Sequence, residues 1–165
     1  MKNRVPVDFL LIIIVYIACA GLIYGAVTMR WPTEDLGVTP GVDAHTHQTY
    51  QAESFYDDYA NWSAVVGGIS LFCAYFWYVL GEWGPRANTL SSGAWILVWL
   101  TLLVVTIATA MVAVFMGPAV ADNGWVVTVS YMIWGPAFFY LATVLFSPVT
   151  TKYVVIGSSV IRRAW

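Results

Sequence analysis

AWILVWLTLLVVTIATAMVAVFM, running from Ala94 to Met116, contains no Asp, Glu, Lys, Arg or His. As a helix rising about 1.5 Å per residue, it reaches across the ~30 Å hydrocarbon core of a bilayer. The run stays free of charge as far as Ala121, and Phe9–Met29, Trp62–Gly81 and Trp125–Phe146 share its character. Within lipid, backbone N–H and C=O groups must be bonded inside the segment, so runs this long and apolar fold as helices. A chain that is 60% hydrophobic and 10% charged also has too little polar material to coat an aqueous fold.

The expected fold class is therefore all-α: a polytopic membrane protein with four transmembrane helices in an antiparallel bundle, forming a single membrane domain over residues 1–165. Its spans fall at about 9–29, 62–81, 94–116 and 125–146, with an outer loop at 30–61 and an interfacial cytoplasmic tail at 147–165. Lys2 and Arg4 before the first run resemble a signal sequence, and Ala18-Cys19-Ala20 offers small residues for cleavage. The run nevertheless continues to Met29, which predicts a retained anchor, while the bulky Tyr16 three residues before Cys19 argues against a lipoprotein.

Basic residues set the orientation. Lys2, Arg4, Arg86, Lys152, Arg162 and Arg163 fall on one side and only Arg30 on the other, which places both termini in the cytoplasm. The expected location is a bacterial or archaeal cytoplasmic membrane. Trp31, Trp62 and Trp125 would mark the outer interface, and Trp83 and Trp95 the inner one. Trp77, Trp99 and Trp134 lie deeper, where an indole N–H needs a partner on a neighbouring helix or chain.

The outer loop is acidic, and Pro32, Gly37, Pro40 and Gly41 argue against regular structure in its first half. A helix beginning near Thr49 would carry Tyr50, Phe55, Tyr56 and Tyr59 among acids, as a short interfacial segment suited to docking on a partner. Asn61 reads as a cap of the second span and Ser91 or Ser92 as a cap of the third. The turns at 82–93 and 117–124 are short enough to make neighbouring spans antiparallel. Pro136, after Gly135, should kink the last span unless neighbouring groups reorganise its hydrogen bonds.

Ionisable residues inside a bilayer mark proton relays, ion paths and counter-ions, and these spans have none. Paired haem ligation needs histidines inside the bundle, whereas His45 and His47 lie in the outer loop. An enzyme acting at membrane depth would need paired carboxylates, an activated nucleophile or a metal cluster there. Cys19 and Cys73 read as small apolar filler. The chemistry left to the chain alone is the outer-loop set Asp43, His45, His47 and Glu53, whose two imidazoles and carboxylates suit Cu or Zn. A solvated polar loop explains the same residues without a metal.

Small residues suggest association. Gly21 and Gly25 form a GxxxG pair, and Ala60, Ala64 and Gly68 recur at every fourth residue, letting helix backbones approach closely in lipid. Packing within the bundle is the equal alternative. The leading expectation is a noncatalytic accessory subunit of a larger multisubunit membrane complex, respiratory or otherwise redox-active. Its partners would be larger membrane-protein subunits and lipids, with no nucleic acid and no cofactor bound by this chain alone. The alternatives are a Cu- or Zn-binding membrane protein and a homo-oligomeric channel lined by Thr101, Thr106, Thr109 and Ser130.

The stretch Ala20-Gly-Leu-Ile-Tyr24-Gly-Ala-Val-Thr28, together with Gly67-Gly68 followed by Phe72, Tyr75 and Phe76, resembles the first two helices of actinobacterial-type cytochrome c oxidase subunit four. That resemblance implies a four-helix accessory subunit, without cofactors of its own, beside a haem-copper core. The chain departs from the family in its longer outer loop and in Leu90-Ser91-Ser92-Gly93 at the entry to the third helix.

Overall fold

The computed structural model describes residues 5–29, 39–42, 52–83, 90–118, 120–148 and 155. Its elements are α1 (Val5–Thr28), β1 (Thr39–Pro40), α2 (Ala52–Trp83), α3 (Ser92–Met116), β2 (Val120–Asp122) and α4, which runs from Gly124 to Leu145 through a π-helical turn at Ile133–Ala137. The fold is all-helical apart from the two short strands. By length and composition α2, α3 and α4 can each cross a membrane, while the apolar part of α1 over Leu10–Gly25 is shorter. This fits an integral membrane protein.

Side-chain contacts give the helix directions. Tyr16 meets Ser70 and Ile23 meets Gly67, so α1 and α2 run antiparallel. Trp77 meets Trp95 and Trp62 approaches Gly117, which makes α3 antiparallel to α2, and Trp99 with Thr143 makes α4 antiparallel to α3. In α2 and α4 the contacts advance together, from Tyr59–Tyr131 through Ser70–Gly135 to Gly81–Pro148, so these two helices are parallel. The result is the expected up-down-up-down bundle, with α2 touching all three other helices.

Several details depart from expectation. α2 is helical from Ala52, in line with the helix expected near Thr49, but it runs without a break into the second span, so Asn61 sits inside the helix rather than at a cap. The first half of that loop is not wholly irregular either, because Thr39 and Pro40 pair antiparallel with Asp122 and Val120. Two residues are too few for a period-2 pattern to register, and a proline is tolerated on such an edge because a short ribbon can leave its missing N–H unpaired. The ribbon ties the loop after α1 to the turn between α3 and α4. In that turn Asn123 adopts φ 54°, ψ 29°, a left-handed conformation that asparagine tolerates better than most side chains. Ser91 caps α3 as expected, its hydroxyl accepting from Ala94 N–H at 3.3 Å.

Apolar packing is divided along the bundle. Phe55, Tyr59, Val66, Ala110, Ala113, Val126, Val127 and Tyr131 form a cluster at the ribbon end. Further along are Ile12, Tyr16, Cys73, Ala74, Tyr78, Phe139 and Ala142, and at the far end Trp77 and Trp95 pack with Val144 and Val155. Trp95, expected at the inner interface, is buried within the protein near the start of α3, with its ring edge-on to Trp77 at 5.6 Å.

Candidate functional site

Asp43, His45 and His47 lie outside the described residues, and Glu53 lies in the first turn of α2 with its side chain also outside them. Among the described residues there is no group of three or more His, Cys, Asp or Glu that could hold a metal ion. Cys19 and Cys73 are free thiols buried on α1 and α2.

The polar centre of the bundle is a junction of three helices. Ser70 on α2 donates its hydroxyl proton to the carbonyl oxygen of Gly135 on α4 at 2.9 Å, and Tyr16 on α1 lies 3.0 Å from the same hydroxyl. Since serine has one proton to give, Tyr16 must be the donor in the second bond. The local sequence explains why the junction forms here. Pro136 has no N–H and would press on the carbonyl four residues earlier, and α4 answers with the wide turn at Ile133–Ala137. Gly135 then lies so close to α2 that an added Cβ would stand 2.8 Å from Val66 Cγ1. Only glycine lets the carbonyl come within reach of Ser70 without displacing α2. Two further neutral bonds join helices: Trp99 Nε1 donates to Thr143 at 3.1 Å and Trp134 Nε1 to Tyr59 at 3.4 Å. The partners expected for these two indoles are therefore within the chain, whereas the buried Nε1 of Trp77 has none among the described residues.

The small residues are not consumed by packing. A Cβ added at Gly21, Gly25 or Gly68 would meet nothing within 4 Å. Ala64 is exposed and Ala60 half-buried. The close approach of α1 to α2 instead falls at Gly67, 3.8 Å from Ile23 Cδ1 as measured from its added Cβ. Beside that contact a cleft of about 310 Å³ opens between the two helices, lined among others by Tyr16, Ala20, Ser63, Ala64, Gly68 and Trp134.

Of the aromatic residues read as a docking segment, Tyr50 lies outside the described residues, Tyr56 is half-buried, and Phe55 and Tyr59 turn inward. Phe55 and Tyr59 are fully buried, Tyr59 stacking on Tyr131 at 5.6 Å, because α2 begins early enough for these rings to cover the first turns of α4. The hydroxyls considered for a pore are bonded to their own helices, Thr101 to Leu97 O, Thr106 to Leu103 O, Thr109 to Val105 O and Ser130 to Val127 O. Thr101 is exposed while Thr106 and Ser130 are buried, so the four do not share one face.

Sequence reasoning passed over Ser70 and Ser63. Nothing in α2 singled them out, although the Gly135-Pro136 break signalled that neighbouring groups could reorganise hydrogen bonds there. No family model matches the chain, and no curated protein or solved structure matches it.

Proposed function

We propose that this chain is a noncatalytic accessory subunit of a larger membrane complex, most simply a respiratory or other redox complex. The observation that carries this reading is the chemistry of the bundle interior. Its polar contacts include neutral bonds between Tyr16, Ser70 and Gly135, between Trp99 and Thr143, and between Tyr59 and Trp134. Such contacts set helix positions, and no Asp, Glu, Lys, Arg or His lies in the four runs to supply charge for a relay or an ion path.

The remaining resource is surface. α3 turns Leu97, Val104, Val112 and Phe115 outward along one stripe, and Gly21, Gly25, Ala64 and Gly68 leave backbone open on α1 and α2. In lipid, small residues favour helix association because backbones can come close. Both termini are placed in the cytoplasm by the distribution of Lys and Arg. A position beside a haem-copper core, as the family resemblance implies, agrees with this reading.

Purification from its own membrane in a mild detergent, with mass spectrometry of everything that accompanies it, tests the proposal. Large cofactor-bearing polypeptides in fixed stoichiometry are expected. A solitary species with transport or catalytic activity of its own would overturn it.

A further inference from the structure

Oxidisable rings stand in a line along the bundle. At the ribbon end Tyr131 stacks on Tyr59 with ring centroids 5.6 Å apart, and the Tyr59 hydroxyl lies 3.4 Å from Trp134 Nε1. Trp134 stacks on Phe138 at 5.6 Å, and the next residue, Phe139, stacks on Trp99 at 6.1 Å. Trp95 is one helical turn from Trp99 on α3 and meets Trp77 at 5.6 Å, and Trp99 packs against this pair. From Tyr131 to Val144, which packs beside Trp77, the line follows α4 for about 20 Å by helical rise.

Packing alone does not select these side chains. Trp77 and Tyr131 are fully buried, and neither Trp77 Nε1 nor the Tyr131 hydroxyl has a hydrogen-bond partner among the described residues. Each polar atom costs stability where phenylalanine would fill much of the same space without that penalty. Ser63 and Ser147 also lack partners, but Trp77 and Tyr131 are rings at the two ends of the line. A buried polar group that weakens the fold calls for a use, and redox chemistry is one. Indole and phenol give up an electron far more readily than phenylalanine, and electron transfer quickens steeply as rings approach.

We propose that Tyr131, Tyr59, Trp134, Trp99, Trp95 and Trp77 form a relay for single oxidising equivalents, running from an oxidant at the Trp77–Trp95 end to the ribbon end. This rests on the reading of the chain as a subunit of a redox complex, in which the oxidant is by class a high-valent metal–oxo group or an oxygen radical. The oxidant takes one electron from the Trp77–Trp95 pair, and the vacancy is refilled in turn from Trp99, Trp134 and the tyrosines. Trp99 and Trp134 donate their N–H to hydroxyls of Thr143 and Tyr59, which are not bases, so these indoles keep their protons and carry the charge as cation radicals. A tyrosine at the end must shed its phenolic proton. The half-buried Asp58, next to Tyr59 in sequence and acting electrostatically on Tyr131, takes it. A soluble reductant such as ascorbate returns the electron and Asp58 the proton. The chain ends unchanged, and one electron has passed from reductant to oxidant.

The test uses the purified full-length chain with a photochemical oxidant, so it reads the relay whether or not a partner complex is found. A ruthenium polypyridyl label is coupled to Leu90→Cys, an exposed position ahead of α3, with the buried Cys19 and Cys73 left in place. A flash in the presence of a sacrificial electron acceptor makes ruthenium(III), and indole radical absorbance should then give way to a phenoxyl signal. The Tyr59→Phe/Tyr131→Phe double variant should lose that signal, and so should Trp99→Phe and Trp134→Phe. Trp134→Tyr shrinks the ring as well but keeps it oxidisable, and it should restore the signal, which separates electron donation from packing. A phenoxyl yield undiminished by Trp99→Phe or Trp134→Phe, or persisting without Tyr59 and Tyr131, would overturn the relay. Loss of the signal in Trp134→Tyr would refute it equally, because the indole would then be needed for its shape. A chain that purifies alone yet passes the electron would unseat the redox complex and leave the relay standing.

Discussion

Ser70 Oγ lies 2.9 Å from the carbonyl oxygen of Gly135, and this bond crosses from α2 to α4 at the residue before Pro136, the proline of the π turn. It joins the π turn to the centre of the bundle, and Tyr16 extends it to α1. Interhelical hydrogen bonds in membranes contribute about 0.6 kcal/mol on average and up to ~1.7. Ser70→Ala removes two of them, so it should destabilise the protein by about 1–2 kcal/mol, and Tyr16→Phe by about half as much. Denaturant titration in mixed micelles reads both, and the double variant should match Ser70→Ala alone. Full additivity would separate the two bonds and remove the junction as a unit.

Gly135 tests the same junction by shape. An added methyl group would stand 2.8 Å from Val66 Cγ1, and overpacking of a close helix contact costs about 1–3 kcal/mol. Gly135→Ala is expected in that range, and Val66→Ala in the same chain should recover much of the loss by making room. Without recovery, the cost would lie in the backbone of the π turn and not in its contact with α2.

What could be read from the sequence follows from how much signal each feature carries. Ala94–Met116 and its three counterparts announce themselves through uninterrupted hydrophobicity, and the short turns then fix their alternation. A helix near Thr49 was legible, but not its continuity with the second span or the burial of Phe55 and Tyr59, because Asp57 and Asp58 suggest a separate surface segment. The ribbon of Thr39 and Pro40 with Val120–Asp122 is too short to leave a pattern. At the junction, Gly135-Pro136 was visible as a break, but its partner depended on which face of α2 packs on α4. That choice is made by the close approach of Gly135 to Val66, a relation between distant parts of the chain.

Two tyrosines in one stack should respond differently to loss of their hydroxyls. Tyr59 accepts from Trp134 Nε1, whereas the buried hydroxyl of Tyr131, 5.6 Å away between ring centroids, has no partner among the described residues. Removing an unpaired buried polar group relieves a desolvation cost, and removing a paired one leaves its donor unsatisfied. Tyr131→Phe should therefore be neutral or stabilising, and Tyr59→Phe destabilising by about 1 kcal/mol. The reverse order in thermal denaturation would show that the Tyr131 hydroxyl is the one in use.

Sidedness can be read without first removing the native thiols. Cys19 and Cys73 are buried, so a membrane-impermeant maleimide should leave the parent protein unlabelled in intact cells. Thr39 and Leu90 are both exposed and lie at opposite ends of the bundle, the first in the ribbon and the second ahead of α3. With cytoplasmic termini, Thr39→Cys reacts from outside and Leu90→Cys only after permeabilisation. The opposite pattern would invert the topology and discard the basic-residue argument.

The remaining chemistry of the outer loop is tested by metal content. Asp43, His45, His47 and Glu53 combine ligands suited to Cu or Zn, but neutral or anionic side chains of these types also serve as plain polar surface. If the chain acts through its helices, the His45→Ala/His47→Ala double variant keeps the Cu and Zn content of the purified material unchanged, and its partners co-purify as before. Elemental analysis of parent and variant, each normalised to protein, decides the matter. Loss of about one metal equivalent per chain would be the signature of a coordination site, since removing both imidazoles leaves only carboxylates, which hold Cu or Zn far less well. That result would move the function from the helix surfaces to the loop.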